Sequence, residues 1–525
     1  MALKILLPLL SLYATIISCA PTSELPVIDL GYVQQRATVY NSTNDYYVFK
    51  NIRFAAPPLG DLRFRKPTPP VYEGKIQDGN ITGTECVQTL PGMPGEGSGI
   101  FGGESYIIGT EDCLYLDVYV PASLKATDKA PVLQWFYGGG YMFGSKEMWG
   151  DPAGLIQAAD EPMIYVASNY RLGAFGWLAD ANQDIDVNVG LHDVRAAMDW
   201  VNDHISKFGG DPERVTVFGE SAGGGVIMHS IVAYGGTHSP PPFKQAILQS
   251  PGLLSDRNSF EKRSSDYRNF QKAANNCTSL ECLRAASTET LTAANDVVLK
   301  SGLMVPTPVA DGDYIPDLAI ILLSQGKFHH IDSIIASNTW YESGLFLLAI
   351  GNITSETFSG FAQGNIANIS ASSLARLEEL YPKGSNEAEE YKRVADLVQD
   401  VLINCNVVAL AKAFGDDTYR YVFNVSRAWH GDDVFYNFYN PGFDVGALPI
   451  GAPPISAWAA KVHQEYLTDY TVKGDPGCAD TLPCFTKYGT EESSLMITDE
   501  KVEILSADPW NNERCDFLIN GVWES

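Results

Sequence analysis

The string RVTVFGESAGGGVIMHS, residues 214–230, constrains this chain more than any other. It holds G-x-S-x-G as Gly219, Glu220, Ser221, Ala222 and Gly223, directly after an apolar β-branched run and directly before small residues that open a helix. A serine on so tight a turn needs neighbours without bulky side chains, because the strained backbone would otherwise clash with them. The turn lifts its Oγ above the sheet at a helix N-terminus. Ser221 therefore reads as a nucleophile.

The surroundings carry a matching alternation. PVLQWFY at 131–137, MIYVASNY at 163–170 and RVTVFG at 214–219 read as buried strands, each stopped by Gly or Asn. Between the last two, Val194, Ala197, Met198, Val201 and Ile205 recur at helical spacing before Gly209 and Gly210. Strand, helix, strand implies a parallel sheet. Further strands are predicted at FKQAILQS, IDSIIASNT and YRYVFNVS. Upstream, YYVFKNIRFAAPPLGDLRF, broken by Pro57, Pro58 and Gly60, predicts antiparallel strands and turns. The fold class is α/β, a large mostly parallel sheet flanked by helices after N-terminal antiparallel strands. With no linker in the pattern, residues 21–525 are expected to form one domain.

A nucleophilic serine needs donors for an oxyanion. WFYGGGYMFG places Gly138, Gly139 and Gly140 just after a strand, and the N–H groups of Gly139, Gly140 and Ala222 are the expected donors. Of the eight histidines, 192, 204, 229, 238, 329, 330, 430 and 463, only His430, in AWHGDDVFYNF, follows a predicted strand into a Gly-containing loop. The others read as helix or surface histidines. Two further strings carry no site. PGMPGEGSGIFGG at 91–103 has no strand before it or helix after it, so it is a loop and not a phosphate cradle. DANQDIDVN at 180–188 has calcium-loop spacing, but Ile185 stands where such a loop needs Gly and Leu191 where it needs Glu. No metal and no organic cofactor is expected.

Hydrophobic residues at 45% and charged residues at 19% belong to a globular chain, not a disordered one. The net charge of −27 repels phosphate backbones and excludes a nucleic-acid partner. Lys4 followed by the thirteen-residue apolar run Ile5–Ile17 predicts a secretory signal over residues 1–20, with Pro21 an awkward neighbour of the cut. A secreted, soluble product without stable membrane insertion is expected; the sequence does not speak to oligomeric state. Nine cysteines less Cys19 leave eight for disulfides. Local spacing favours Cys277 with Cys282 and Cys478 with Cys484, and leaves Cys86, Cys113, Cys405 and Cys515 open. Six sequons, at Asn41, Asn80, Asn276, Asn352, Asn368 and Asn424, agree with that route. Asn424 lies in a predicted strand, which would enclose its side chain.

IRFAAPPLGDLRF, EDCLYLDVYVP, YGGGYMFG, NYRLGAFGWL, NVGLHDVRAAMDWV, FGGDPERVTVFGESAGG and LQSPG stand in the order found in type-B carboxylesterases and lipases. The chain resembles a secreted, fungal-type member of that cholinesterase-like α/β-hydrolase family over nearly its whole length. The resemblance implies disulfides Cys86 to Cys113, Cys277 to Cys282 and Cys405 to Cys515, leaving Cys478 with Cys484. It implies that Glu220 is a carboxylate beside the nucleophile, and that His430, with Asp433 three residues on, is the base. The family's acid motif is Asn, two residues, then Glu-Gly before an aromatic. This chain has SNTWYESGLF, with one extra residue between Asn338 and Glu342. Measured backward from Phe346, Glu342 falls where the acid belongs, with Asp332 and Asp311 behind it; bulky residues of TWY would pack the bulge and Gly344 would restore the path. Tyr137 replaces the His that many esterases carry there. The loop between Cys86 and Cys113 lacks the Trp with which cholinesterases hold a quaternary ammonium, which argues against choline esters.

The expected activity is hydrolysis of a small-molecule or lipid carboxylic ester through an acyl-enzyme, by Ser221, Glu342 and His430. The alternatives are a triacylglycerol lipase, an acyltransferase or cyclase using the same three residues, or a non-catalytic adhesion module.

Overall fold

The computed structural model of the protein describes residues 25–522 apart from 90–106, 253–258, 351–352, 354–355, 367–368, 442–453, 480–481 and 490. The expected signal, the glycine-rich loop, Asn352 and Asn368 fall outside the described residues.

The apolar runs pair as their alternation with helices requires. Along the chain they are β1 (Val39–Asn41), β2 (Tyr46–Arg53), β3 (Tyr115–Pro121), β4 (Ala130–Phe136), β5 (Ile164–Ser168), β6 (Gly210–Glu220), β7 (Gln245–Gln249), β8 (Ser333–Thr339), β9 (Thr418–Asn424), β10 (Ser494–Thr498) and β11 (Val502–Leu505). They form one eleven-stranded sheet in the order β11-β10-β9-β8-β7-β6-β4-β5-β3-β2-β1. From β10 to β5 every neighbouring pair is parallel. Both flanks are antiparallel, β11 on one side and β3, β2 and β1 on the other. A smaller sheet joins Val27–Asp29, Gln34–Arg36 and Ile76–Gln77, the last pair parallel.

Every residue of β3, β4, β5 and β8 is buried, which is why β4 and β5 read as near-continuous apolar runs and not as alternation. Helices supply the cover: α1 (Val189–His204), α2 (Ala222–Val232), α3 (Ser343–Ile350), α4 (Glu387–Gln399), α5 (Cys405–Phe414), α6 (Asp432–Asn437), α7 (Ala457–Lys473) and α8 (Glu513–Asp516). On α1 the predicted stripe Val194, Ala197, Met198 and Val201 is buried, and the chain tightens into a 3-10 turn before Gly209 at φ 92°. A buried π turn, Asp400–Asn404, joins α4 to α5. The continuous run Glu387–Asp417 is long and apolar enough to cross a membrane, yet 89% of its most apolar window is buried, so it is a core helix here.

The parallel block positions the site. Glu220 pairs with Gln249, Gln249 with Ser337, and Ser337 with Tyr421, so the carboxyl ends of β6, β7, β8 and β9 lie side by side. Loops leaving those ends meet above one edge of the sheet, where open α/β sheets bind their ligands. A buried ion pair braces the same region. The side chains of Arg420 in β9 and Asp508 form an ion pair with no solvent exposure, and Arg420 also reaches the Asn338 side chain in β8. Disulfides join Cys86 to Cys113, Cys277 to Cys282, Cys405 to Cys515 and Cys478 to Cys484.

Cys405–Cys515 closes a loop of sequence separation 110 and pins α8 to α5, whereas Cys277–Cys282 closes one of 5. On loop entropy, replacing the long link by serines should cost about 5 kcal/mol of unfolding free energy and the short link about 2 kcal/mol. Urea denaturation of the two double variants checks this, and equal losses would reject it.

Candidate active site

β6 ends at Glu220, α2 begins at Ala222, and Ser221 makes the turn at φ 55° and ψ −124°. A Cβ on Gly219 would lie 2.5 Å from the Gly223 carbonyl carbon, and one on Gly223 would lie 2.0 Å from the Phe136 oxygen. Strand, helix and the end of β4 thus cross so closely that both outer positions of G-x-S-x-G exclude a side chain. The left-handed serine costs on the order of 1–3 kcal/mol. It is held by its N–H donating to Gln249 O at 3.0 Å, and by its carbonyl accepting from Gly225 and Gly252, both at 2.9 Å.

From this turn a row of short contacts runs across the sheet. His430 Nε2 lies 2.8 Å from Ser221 Oγ, and His430 Nδ1 lies 2.6 Å from Glu342 Oε2. The other carboxylate oxygen of Glu342 accepts from Ser250 Oγ and Thr339 N, each at 2.6 Å. A proton held on Nδ1 by Glu342 leaves Nε2 able to accept one from the serine hydroxyl. Phe346 lies against the imidazole, ring centroids 4.7 Å apart.

The extra residue before Glu342 is absorbed by carrying the β8–β9 pairing past the strand ends. Trp340 N donates to Phe423 O and Tyr341 N to Ala428 O, both at 2.9 Å, and Tyr341 bridges Trp429. Trp340 packs edge-on against Trp510 at 5.5 Å, whereas Tyr341 is 54% exposed. Neither alternative acid reaches the imidazole in this arrangement. Asp332 is exposed just before β8, at its other end, and Asp311 binds Asn188 and the backbone of its own turn.

Negative charge crowds the site. Glu220 Oε1 lies 3.5 Å from His430 Nε2. Burial pushes Glu220 up to about 7, the facing imidazole opposing and Glu342 reinforcing the rise. For His430, burial works to lower the pKa but is outweighed by the carboxylates of Glu342 and Glu220, which lift it to about 9. Asp433, fully buried, meets no hydrogen-bond donor at either carboxylate oxygen among the described residues. Burial first, then Glu220 and Glu342, raise its pKa well above the ordinary carboxylate value.

The remaining predicted residues lie as follows. Gly139 and Gly140 follow β4 at φ 108° and 59°, and Ala222 is the first residue of α2. Tyr137 stacks on Tyr170 at 4.5 Å, each hydroxyl donating to the other's carbonyl, at 3.0 and 2.8 Å. Asn80 and Asn276 are exposed; Asn41 is half-buried and donates to Tyr46 Oη at 3.0 Å and Asp151 at 3.3 Å. Asn424 ends β9 half-buried. His329 corrects the expectation of a surface histidine, being 5% exposed, while His229 and His463 are buried on α2 and α7. Sequence reasoning did not single out Ser250, whose role depends on the neighbouring strand ends, or Trp429.

A family model described as the carboxylesterase family matches residues 24–518. The chain is 34% identical over 552 residues to Carboxylesterase patB of Aspergillus clavatus, across 95% of this chain and 96% of that one. It is 32% identical to a secreted lipase of Arthroderma benhamiae, across 88% and 92%, and 30% identical to Lipase 1 of Geotrichum candidum, across 90% and 91%. The crystal structure of Aspergillus niger EstA shares the fold, with a TM-score of 0.80 at 24% identity over 94% of this chain and 98% of that one. With matches that span the sheet and every loop of the site, this chain belongs to the carboxylesterase family and is a carboxylic ester hydrolase.

Proposed function

We propose that the protein cleaves its ester by two-step acyl transfer on Ser221. His430 takes the Oγ proton as Oγ attacks the ester carbonyl. The oxyanion is held by the N–H groups of Gly139, Gly140 and Ala222. The imidazolium gives its proton to the leaving alcohol, and water, activated by the same imidazole, releases the acid. Glu342 orients the imidazole and balances its charge. The observation that carries this reading is the unbroken row Ser221 Oγ, His430, Glu342 at 2.8 and 2.6 Å, ending on a serine held left-handed at a helix N-terminus. The secreted lipase among its relatives and the four disulfides support an extracellular enzyme. Residues 21–525 are taken to work as one domain, with Asn80 and Asn276 the most accessible glycan acceptors.

Relatives named both carboxylesterase and lipase leave two substrate forms, a soluble ester and an emulsified triacylglycerol. Rates over esters of varied acyl chain and alcohol, with and without added alcohol, separate esterase, lipase and acyltransferase.

An organophosphonate should label Ser221 stoichiometrically, and Ser221→Ala should lose on the order of a million-fold in turnover by analogy with serine proteases. An adduct mapped to another serine would refute the assignment. Glu342→Gln should keep the fold and lose roughly ten-thousand-fold; near-normal activity in that variant, with Asp332→Asn or Asp311→Asn crippled, would move the acid elsewhere.

The charges beside His430 set the pH profile. Only neutral imidazole accepts the serine proton, and the carboxylates raise its pKa, so kcat/KM should fall on acidification with a midpoint above the ordinary histidine value of about 6.5. Glu220→Gln removes a negative charge 3.5 Å from Nε2 and should move that midpoint down. A midpoint unchanged or raised in this variant would contradict the proposed influence of Glu220.

A further inference from the structure

Gly344 lies in the first turn of α3, two residues after Glu342, and its φ is outside the left-handed region. Alanine would be the better helix former there, so the backbone supplies no reason for a glycine. The reason lies across the site. A Cβ on Gly344 would stand 2.3 Å from Cδ1, 2.5 Å from Nε1 and 2.6 Å from Cγ of Trp429. Ordinary carbon contacts are roughly 3.5–4.0 Å. The five-membered ring of the indole therefore rests on the bare Cα of the acid's helix, and Trp429 is the residue directly before His430.

The segment that carries Trp429 is fixed on its other contacts. Arg427 lies over the indole, its guanidinium carbon 4.9 Å from the ring centroid. Arg427 binds both oxygens of Asp432, and Asp432 Oδ2 accepts the Trp429 N–H at 2.9 Å. Ser426 and Ala428 are left-handed, at φ 56° and 50°, and Ala428 O accepts from Tyr341 N. With its main chain tied to Asp432 and Arg427 over its ring, Trp429 has little room to yield, so a push on its indole falls on the segment that carries His430.

We infer that Gly344 and Trp429 are positioning residues: the slot left by the missing side chain seats the indole and so sets His430 against both Glu342 and Ser221. This rests on the proposed roles of those three residues. A side chain at 344 would push the indole by about an ångström, a displacement that can cost about a hundred-fold when it reaches reacting groups.

The test is a double-mutant cycle on hydrolysis of a short-chain nitrophenyl ester, with thermal melts of each variant. Gly344→Ala should lower kcat about a hundred-fold with KM little changed. Trp429→Ala should lose less, and the double variant should match Trp429→Ala within about twofold, because alanine at 344 has nothing left to strike. The inference is overturned if Gly344→Ala stays within about twofold of the wild type, or if the two losses simply multiply. Should Gly344→Ala fail to fold, the double variant against Trp429→Ala still decides: near-equality supports the slot, and a large further loss overturns it. His430→Ala in the same assay keeps the two readings apart. If it retains turnover, the proposed base is wrong; if it is inactive while Gly344→Ala is normal, only the slot is wrong.

Discussion

Glu342 has no solvent exposure, and a carboxylate removed from water is tolerated only where donors surround it. Its donors come from three places in the chain: Ser250 after β7, Thr339 at the end of β8, and His430 after β9. No single loop could supply them. They converge because β6 to β9 are parallel and in register, so that the loops leaving their carboxyl ends share one rim of the sheet. The strained serine, the imidazole and the buried acid are consequences of one topology.

That rim gathers carboxyl groups, and burial raises the pKa of two of them, Glu220 and Asp433. Three carboxyl groups surround one imidazole: Glu342 directly bonded, Glu220 within 3.5 Å, and Asp433 buried with no donor among the described residues. Burial without a donor raises the pKa of Asp433, whereas the carboxyl oxygens of Glu342 meet three donors.

Much of this was legible in the chain itself. Strand and helix periods gave the parallel block, and the glycines on either side of Glu220, Ser221 and Ala222 marked the elbow, because those positions must be bare for local reasons. His430 was recognisable from its place after a strand. The extra residue before Glu342 was visible, and so was the need to absorb it. How it is absorbed was not, because the solution is a backbone pairing between Tyr341 and Ala428, 87 positions apart in the sequence. Gly344 shows the same limit: it reads as a residue that frees the path to Phe346, whereas it makes room for an indole from another strand's loop.

The sequence by itself determined the fold class, the tight turn at Ser221, the glycines beside it and the loop that carries His430, since each depends on neighbours within a few residues. Only the tertiary structure decided which carboxylate lies against His430, which hydroxyl supports it, and which carboxyls are buried beside them. Those depend on desolvation and on distances between loops, and the loops become neighbours only when the parallel strands align their ends.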